Sequence, residues 1–379
     1  MRLFLTFGFI FISQYFIFSQ YWVQKSSFGG VGRHRAVGCA SKNRGYLGLG
    51  HVNGTGVDIS YKDWWEYDPA SDSWSQKANY PVNNYGAVSF VVDEKPIIGG
   101  GSALGGEFYQ FDPLTNTWHQ IASCPFFNPG DVQGFSVNNK GYIYMGNQLA
   151  EYEPISNSWN LKASAPISFS TWSCAFAIEG SGFVKSGNKL YEYKPSHDQW
   201  LQRADFPGNS TGGSSAFSIN QKGFVTCGYV GSLSNVTEQV WSYSPGTNSW
   251  QVEIEFPGTS RRFPVAFSIH QRGYFGTGTN GINLNDFWQF NPINNTLSIS
   301  ENTDIQVLFY PNPTKDFINV KTSSTAFNQL TIRNFKGQIV KNIENVNNSI
   351  YVGDLPEGPY FVSILLENNQ IITEKILIQ

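Results

Sequence analysis

A nine-residue phrase returns along the chain: EYDPASDSW at 66–74, then QFDPLTNTW, EYEPISNSW, EYKPSHDQW, SYSPGTNSW and QFNPINNTL. Its prolines, Pro69, Pro113, Pro154, Pro195, Pro245 and Pro292, stand 41 to 50 residues apart. A recurrence at that interval confines the chain to a repeat architecture, whose units bury their apolar faces against one another. Aromatic residues make up 16% of the 379 and charged residues 14%, which suits a β-rich protein with a surface of Asn, Ser, Thr and Gln. A net charge of −3 supplies no basic field to hold nucleic acid, and that class is excluded.

Each repeat reads as four short strands. An apolar run such as AVSFVV or CAFAI is followed by a glycine-bounded one such as GYIYMG or GFVTCG. A third strand, DWWEY or KLYEY, alternates aromatic and polar residues with the period of two that a strand requires. The Asp-Pro turn and its equivalents then lead to Trp74, Trp118, Trp159, Trp200 and Trp250, which open an outer strand and cover the joint between neighbouring sheets. Four-stranded units repeated in this way close into a β-propeller.

The glycine-rich second strand, the Tyr-Asp-Pro turn and the Trp six residues after the Asp resemble the kelch repeat over residues 20–300. Two departures stand out: the glycine run is intact only at Gly99, Gly100 and Gly101, and Leu297 replaces the last Trp. YWVQKSSFGG at 21–30 reads like the outer strand SWSQKANYP, so Trp22 is expected to fill the missing edge of the sixth unit and close the ring. The fold expected is all-β: a six-bladed kelch-type β-propeller followed by a small β-sandwich.

The ends of the chain address it. Arg2 precedes an apolar run ending near Ser19, the layout of a secretory signal peptide over 1–19, and no later stretch is long and apolar enough to span a bilayer. From about 301 to 379 the repeat gives way to alternating strands with Gly and Pro turns. YPNP at 310–313, NFKGQIV at 334–340, LPEGPYFV at 355–362 and the final KILIQ resemble the C-terminal sorting domain of the type IX secretion system. Pro359 between Gly358 and Tyr360 departs mildly from that pattern. The resemblance implies a Bacteroidota-type protein that engages the type IX machinery and ends outside the cell or on its surface. Cys39, Cys124, Cys174 and Cys227 fall in apolar surroundings in different repeats and are expected to be buried, unpaired thiols.

Strand parity puts the loops that lead into each repeat on the same face as the connections between second and third strands. Those connections are long at 51–62, 229–238 and 279–285, in repeats one, five and six, and short in repeats three and four. A wall over half of one face follows. Arg33, His34 and Arg35 lead into the first repeat and Arg261 and Arg262 into the sixth, so four arginines are expected to meet near the channel mouth. Such a group suits a carboxylate- or sulfate-bearing glycan, with Tyr85, Asp131 and Trp172 at comparable places in other repeats. A surface-protein ligand, or ion pairing of these arginines within the protein, is the competing reading.

Two enzyme classes occur among propellers that resemble this one. Galactose-oxidase-like copper chemistry needs clustered His, Tyr and Cys, and parity scatters the five histidines, with only His34 and His51 on the loop-rich face. A sugar mutarotase or epimerase would use acid, base and arginine at the mouth, for which His34, Arg33, Asp58 and Glu238 are candidates. No phosphate loop, metalloprotease motif or paired carboxylates appear, and neither cofactor nor metal is expected.

Overall fold

The computed structural model describes residues 21–54, 56–126, 133–170, 172–292, 307–322, 327–334, 338–344, 349–366 and 371–379. These fall into two compact units, divided between residues 293 and 294. The signal-peptide segment, Asp131 and Leu297 lie outside the described residues. Among those described, no helix is long and apolar enough to cross a membrane, which says nothing of strands.

The larger unit holds six antiparallel four-stranded sheets. Their inner strands are Val37–Ser41, Val88–Val92, Gln133–Val137, Cys174–Ile178, Ser215–Ile219 and Val265–Ile269. Each adjoins the next, and the sixth adjoins the first, so the arrangement is a closed ring. Five sheets take all four strands from consecutive segments. The sixth runs Val265–Ile269, Arg272–Gly276, Phe287–Phe290 and then Trp22–Lys25, with Trp22 opposite Phe290. The segment after residue 20 therefore supplies the missing outer edge, and Trp22 is buried against Phe256, Phe275 and Phe290.

Second-strand glycines set how closely the sheets pack. A Cβ on Gly141, Gly182, Gly223, Gly273 or Gly45 would come within about 2.1–2.5 Å of Phe90, Phe135, Phe176, Phe217 or Phe267 respectively, each on the inner strand of the preceding sheet. Phe267 against Gly45 is the same contact made across the closure. In the second sheet the glycine position is held by Pro96, and the corresponding inner-strand residue of the first sheet is Cys39 in place of phenylalanine. The larger residue on one side coincides with the smaller one on the other, as close packing requires.

The recurring phrase is a clamp between neighbouring sheets. Asp72, Asn116, Asn157, Asp198 and Asn248 sit at φ between 46° and 56°, a left-handed turn position that Asn and Asp tolerate. Their side chains accept the backbone N–H of Ser26, Ala78, Ala122, Ala163 and Ala204 in the preceding sheet's outer segment. The indoles of Trp74, Trp118, Trp159, Trp200 and Trp250, two residues on, donate to the carbonyl of the same five residues at 2.8–3.0 Å. The turn and the Trp thus hold both backbone polar groups of one neighbouring residue.

The smaller unit has a three-stranded sheet, Val307–Tyr310, Phe317–Thr322 and Ser349–Tyr351, and a four-stranded one, Ile339–Glu344, Phe327–Asn334, Gly358–Leu366 and Ile371–Ile378. Both contribute to one core, which includes Phe309, Ile318, Leu330, Ile350, Val362 and Ile376. Pro359 lies opposite Leu377 in the last strand pair. All four cysteines are buried and unpaired.

Candidate functional site

Parity along the inner strands turns two rings of small side chains toward the ring axis. The first is Gly38, Ser89, Gly134, Ala175, Ala216 and Ala266; the second begins at Ala40 and ends at Ser268. They line a cavity of about 480 Å³, whose mouth is bordered by Arg35, Trp172 and Phe263.

The segments that lead into the inner strands reach the mouth through a shared backbone device. Arg35, Gly86, Gly213 and Phe263 occupy equivalent places, two residues before the inner strand, and all have positive φ: 49°, 66°, 65° and 55°. Glycine adopts that conformation freely, whereas Arg and Phe are uncommon there, and such strain concentrates where function over-determines the backbone. The turn breaks simple alternation. Arg33 and Arg35, two apart, consequently do not share a face.

This separates the five basic residues into two groups. Arg33 and Arg261 are fully buried and do not reach the mouth, which corrects the expectation that four arginines converge there. Arg33 forms a two-pronged pair with Asp63 (Nη2 to Oδ2, 2.9 Å), donates to the carbonyls of Val31 and Leu49, and lies 4.0 Å from the Tyr61 ring centre. Arg261 repeats the arrangement with Asp286 at 2.6 and 2.7 Å and with the carbonyls of Thr259 and Thr277. Asp63 and Asp286 also accept the indoles of Trp65 and Trp288. Burial pushes the Asp286 carboxyl up, but the hydrogen bonds and charge of Arg261 hold it below the usual carboxylate range. A signal for these pairs is present in the sequence: third strands that begin DWW and DFW are those whose repeats are led in by Arg33 and Arg261.

Arg35 and Arg262 do meet. Both lie near the Phe263 ring, at 4.9 and 5.9 Å from its centre. Arg35 is also 5.3 Å from Trp172 and 5.9 Å from Tyr85. Arg262 donates to the Leu233 carbonyl on the fifth sheet's hairpin, and its Nε is buried with no hydrogen-bond partner among the described residues. Burial, followed by the charge of Arg35, lowers its affinity for a proton. Trp172, Tyr229 and Phe263, from the fourth, fifth and sixth sheets, form an aromatic group with centres 5.5–6.4 Å apart, Trp172 edge-to-face with both and Tyr229 tilted against Phe263. Gly213 makes room for it: a Cβ there would lie 3.1 Å from both Phe263 and Tyr229.

His34 and His51 pack ring to ring at 4.2 Å, and His51 touches Tyr85 at 3.9 Å. His34 Nε2 is 3.1 Å from Asn53 Oδ1, so it carries the proton that Asn53 accepts. Both ring nitrogens of His51 and Nδ1 of His34 are buried without hydrogen-bond partners among the described residues. Burial and then the neighbouring His51 pull His34 down to about 4, against the Asn53 hydrogen bond; burial and then Arg35 do the same for His51. Both are neutral imidazoles at neutral pH. Sequence reasoning put His51 on the loop-rich face but not among the site residues, and it missed Tyr229, on an insertion without counterpart in the shorter repeats, and Phe263, at the positive-φ lead-in place.

The wall takes the form of hairpins. His51–Gly54 pairs with Val57–Ser60, Tyr229–Val230 with Ser232–Val236, and isolated bridges join Thr279 to Arg262 and to Asn283. They belong to the first, fifth and sixth sheets, which are consecutive in the closed ring. Among the described residues no three His, Cys, Asp or Glu side chains come together as a metal site.

Residues 308–379 match the family described as the secretion system C-terminal sorting domain. The tail is therefore a sorting domain that engages the type IX machinery, and the chain it ends is an exported one, destined for the cell surface or the surroundings. No curated protein is significantly similar to the chain in sequence. A solved structure described as "Structure of YjhT" is similar, with a TM-score of 0.58 and 15% identity over 70% of this chain and 97% of that one. At that identity the likeness speaks for the all-β fold alone.

Proposed function

We propose that the chain is a binding module: a six-bladed kelch-type β-propeller over residues 20–300 that takes an acidic glycan at the mouth of its central channel. A signal peptide over 1–19 starts its export, and the sorting domain over 301–379 completes it. The repeated clamp, the ring order of the inner strands and the closure through Trp22 support the propeller reading.

The observation that carries the binding reading is Arg35 and Arg262 beside one phenylalanine ring, with the Arg262 Nε–H buried and without a hydrogen-bond partner among the described residues. Two guanidinium groups brought together repel, and an anion between them converts that repulsion into attraction. A carboxylate or sulfate also matches the forked donors of arginine. Trp172, Tyr229 and Tyr85 offer ring surfaces on which the apolar face of a sugar can pack.

The test is an array of neutral, carboxylated and sulfated glycans probed with the full chain and with Arg262→Ala. Retention of acidic glycans, weakened at least tenfold by the substitution, is the expected result. No glycan retained, with a surface protein captured instead, replaces this reading with a scaffold role. The neutral imidazoles of His34 and His51 beside the arginines, with His34 Nδ1 and both His51 ring nitrogens lacking hydrogen-bond partners among the described residues, favour one second reading, a sugar mutarotase or epimerase. Interconversion of sugar anomers above the spontaneous rate, followed by NMR, would establish it.

A further inference from the structure

A second hollow, of about 550 Å³, opens beside the first sheet and shares no lining residue with the axial cavity. Three segments shape it: residues 29–31 ahead of Arg33, residues 60–65 at the start of the first sheet's third strand, and residues 76–83 beyond it. Backbone hydrogen bonds fix them, from Tyr80 N–H to the Lys62 carbonyl at 2.8 Å, from Asn84 to Tyr61 at 3.0 Å and from Phe28 to Asn285 at 2.8 Å. The walls therefore stand in place before any ligand arrives.

The buried charge beside this groove is already engaged within the protein. Arg33 pairs with Asp63 and donates to two carbonyls, and Asp63 also accepts the Trp65 indole at 2.8 Å. Of the described residues that line the groove, only the exposed Lys62 carries a further charge. The rest of the lining includes the half-buried Trp65, the Tyr61 ring and the exposed amides of Gln76, Asn79 and Asn83. A phosphate or nucleotide needs cations that are not already paired, and an apolar ligand needs predominantly apolar walls. Aromatic rings beside amide donors and acceptors match an uncharged sugar, with its C–H face and its hydroxyl groups. A Cβ at Gly29 would lie 2.5 Å from Trp65, so glycine there keeps a side chain off that ring. The sixth sheet repeats the buried Arg, Asp and Trp as Arg261, Asp286 and Trp288, but with Pro257 at the place of Gly29 and Leu284 at the place of Tyr61. The buried pair thus forms without the groove's own lining.

We propose that this groove is a second carbohydrate site that takes a neutral sugar residue, its ring against Trp65 and Tyr61 and its hydroxyls on Gln76, Asn79 and Asn83. It shares no residue with the mouth and stands or falls apart from the acidic-glycan reading.

The test is calorimetric titration of the full chain with uncharged oligosaccharides of glucose, xylose, mannose and galactose at millimolar concentration. Binding of at least one of them, weakened fivefold or more by Tyr61→Leu and kept within twofold by Arg262→Ala, is the expected result. Tyr61→Leu copies the sixth sheet and is expected to leave the thermal midpoint unchanged. If it lowers the midpoint, the exposed pair Asn79→Ala/Asn83→Ala takes its place with the same fivefold expectation. No binding of any of these sugars overturns the inference, and so does a loss smaller than fivefold in the folded groove variant. A loss as large with Arg262→Ala as with the groove variant places the sugar at the mouth and overturns it as well.

Discussion

Arg261 and Arg262 are consecutive, and the protein uses them in opposite ways. Arg261 belongs to the shell behind the loops, where it and Arg33 repeat one arrangement of Asp, Trp and two carbonyls. Arg262 belongs to the mouth, where the described lead-in residues at one equivalent place, Arg35, Gly86, Trp172, Gly213 and Phe263, vary in charge, size and shape. Contacts that recur from sheet to sheet hold the ring together. Those that occur once, such as the Arg35–Arg262 approach, are not repeated by the neighbouring sheets, and the ligand site proposed above is built from them.

The sharpest way to break that division is at the closure. Trp22 makes the sixth sheet's version of the recurring tryptophan contact, and Trp22→Ala is expected to cost about 3–5 kcal/mol, the range for emptying a large aromatic site. Urea unfolding followed by tryptophan fluorescence checks it, and a loss below about 1 kcal/mol would mean that the ring does not depend on its last edge.

Next in size is Arg261→Ala, expected to cost about 3 kcal/mol because it leaves the largely enclosed Asp286 without its counter-charge. Arg262→Ala should change stability by no more than about 0.5 kcal/mol while weakening ligand binding at least tenfold. Equal losses for the two would erase the distinction between shell and mouth.

A separate effect comes from pH. His34 and His51 titrate near 4 when folded and near 6.5 when unfolded, so protons bind the unfolded chain more readily. Their neutral forms contribute fully above pH 6.5, and that contribution is lost as pH falls from about 6.5 to 4. The loss is on the order of a few kcal/mol between them. Thermal midpoints from pH 7.5 to 4.5 should fall for the parent chain and fall less for His34→Asn/His51→Asn.

The shell was readable in the sequence because repetition exposes it. Six phrases at similar spacing place the strands, and the similarity of Trp22 to Trp74 places the closing edge. The mouth was readable only in part. Arg35, Arg262, Tyr85 and Trp172 do come together with His34 nearby, but Arg33 and Arg261 turn the other way. Alternation fails at the positive-φ residues Arg35 and Phe263, whose own side chains give no sign of that conformation. Gly86 and Gly213, at the equivalent places in the second and fifth sheets, are the sign that was available. Tyr229 and His51 sit on insertions of unequal length, where no repeat register predicts direction.

The most direct test of the mouth as a ligand site is calorimetric titration of an array-selected acidic glycan into the parent chain and into Arg35→Ala/Arg262→Ala, with thermal midpoints measured in parallel. Binding reduced at least a hundredfold in the double variant, with a midpoint within 2 °C of the parent, is the predicted result. Undiminished affinity in a folded double variant would contradict the account.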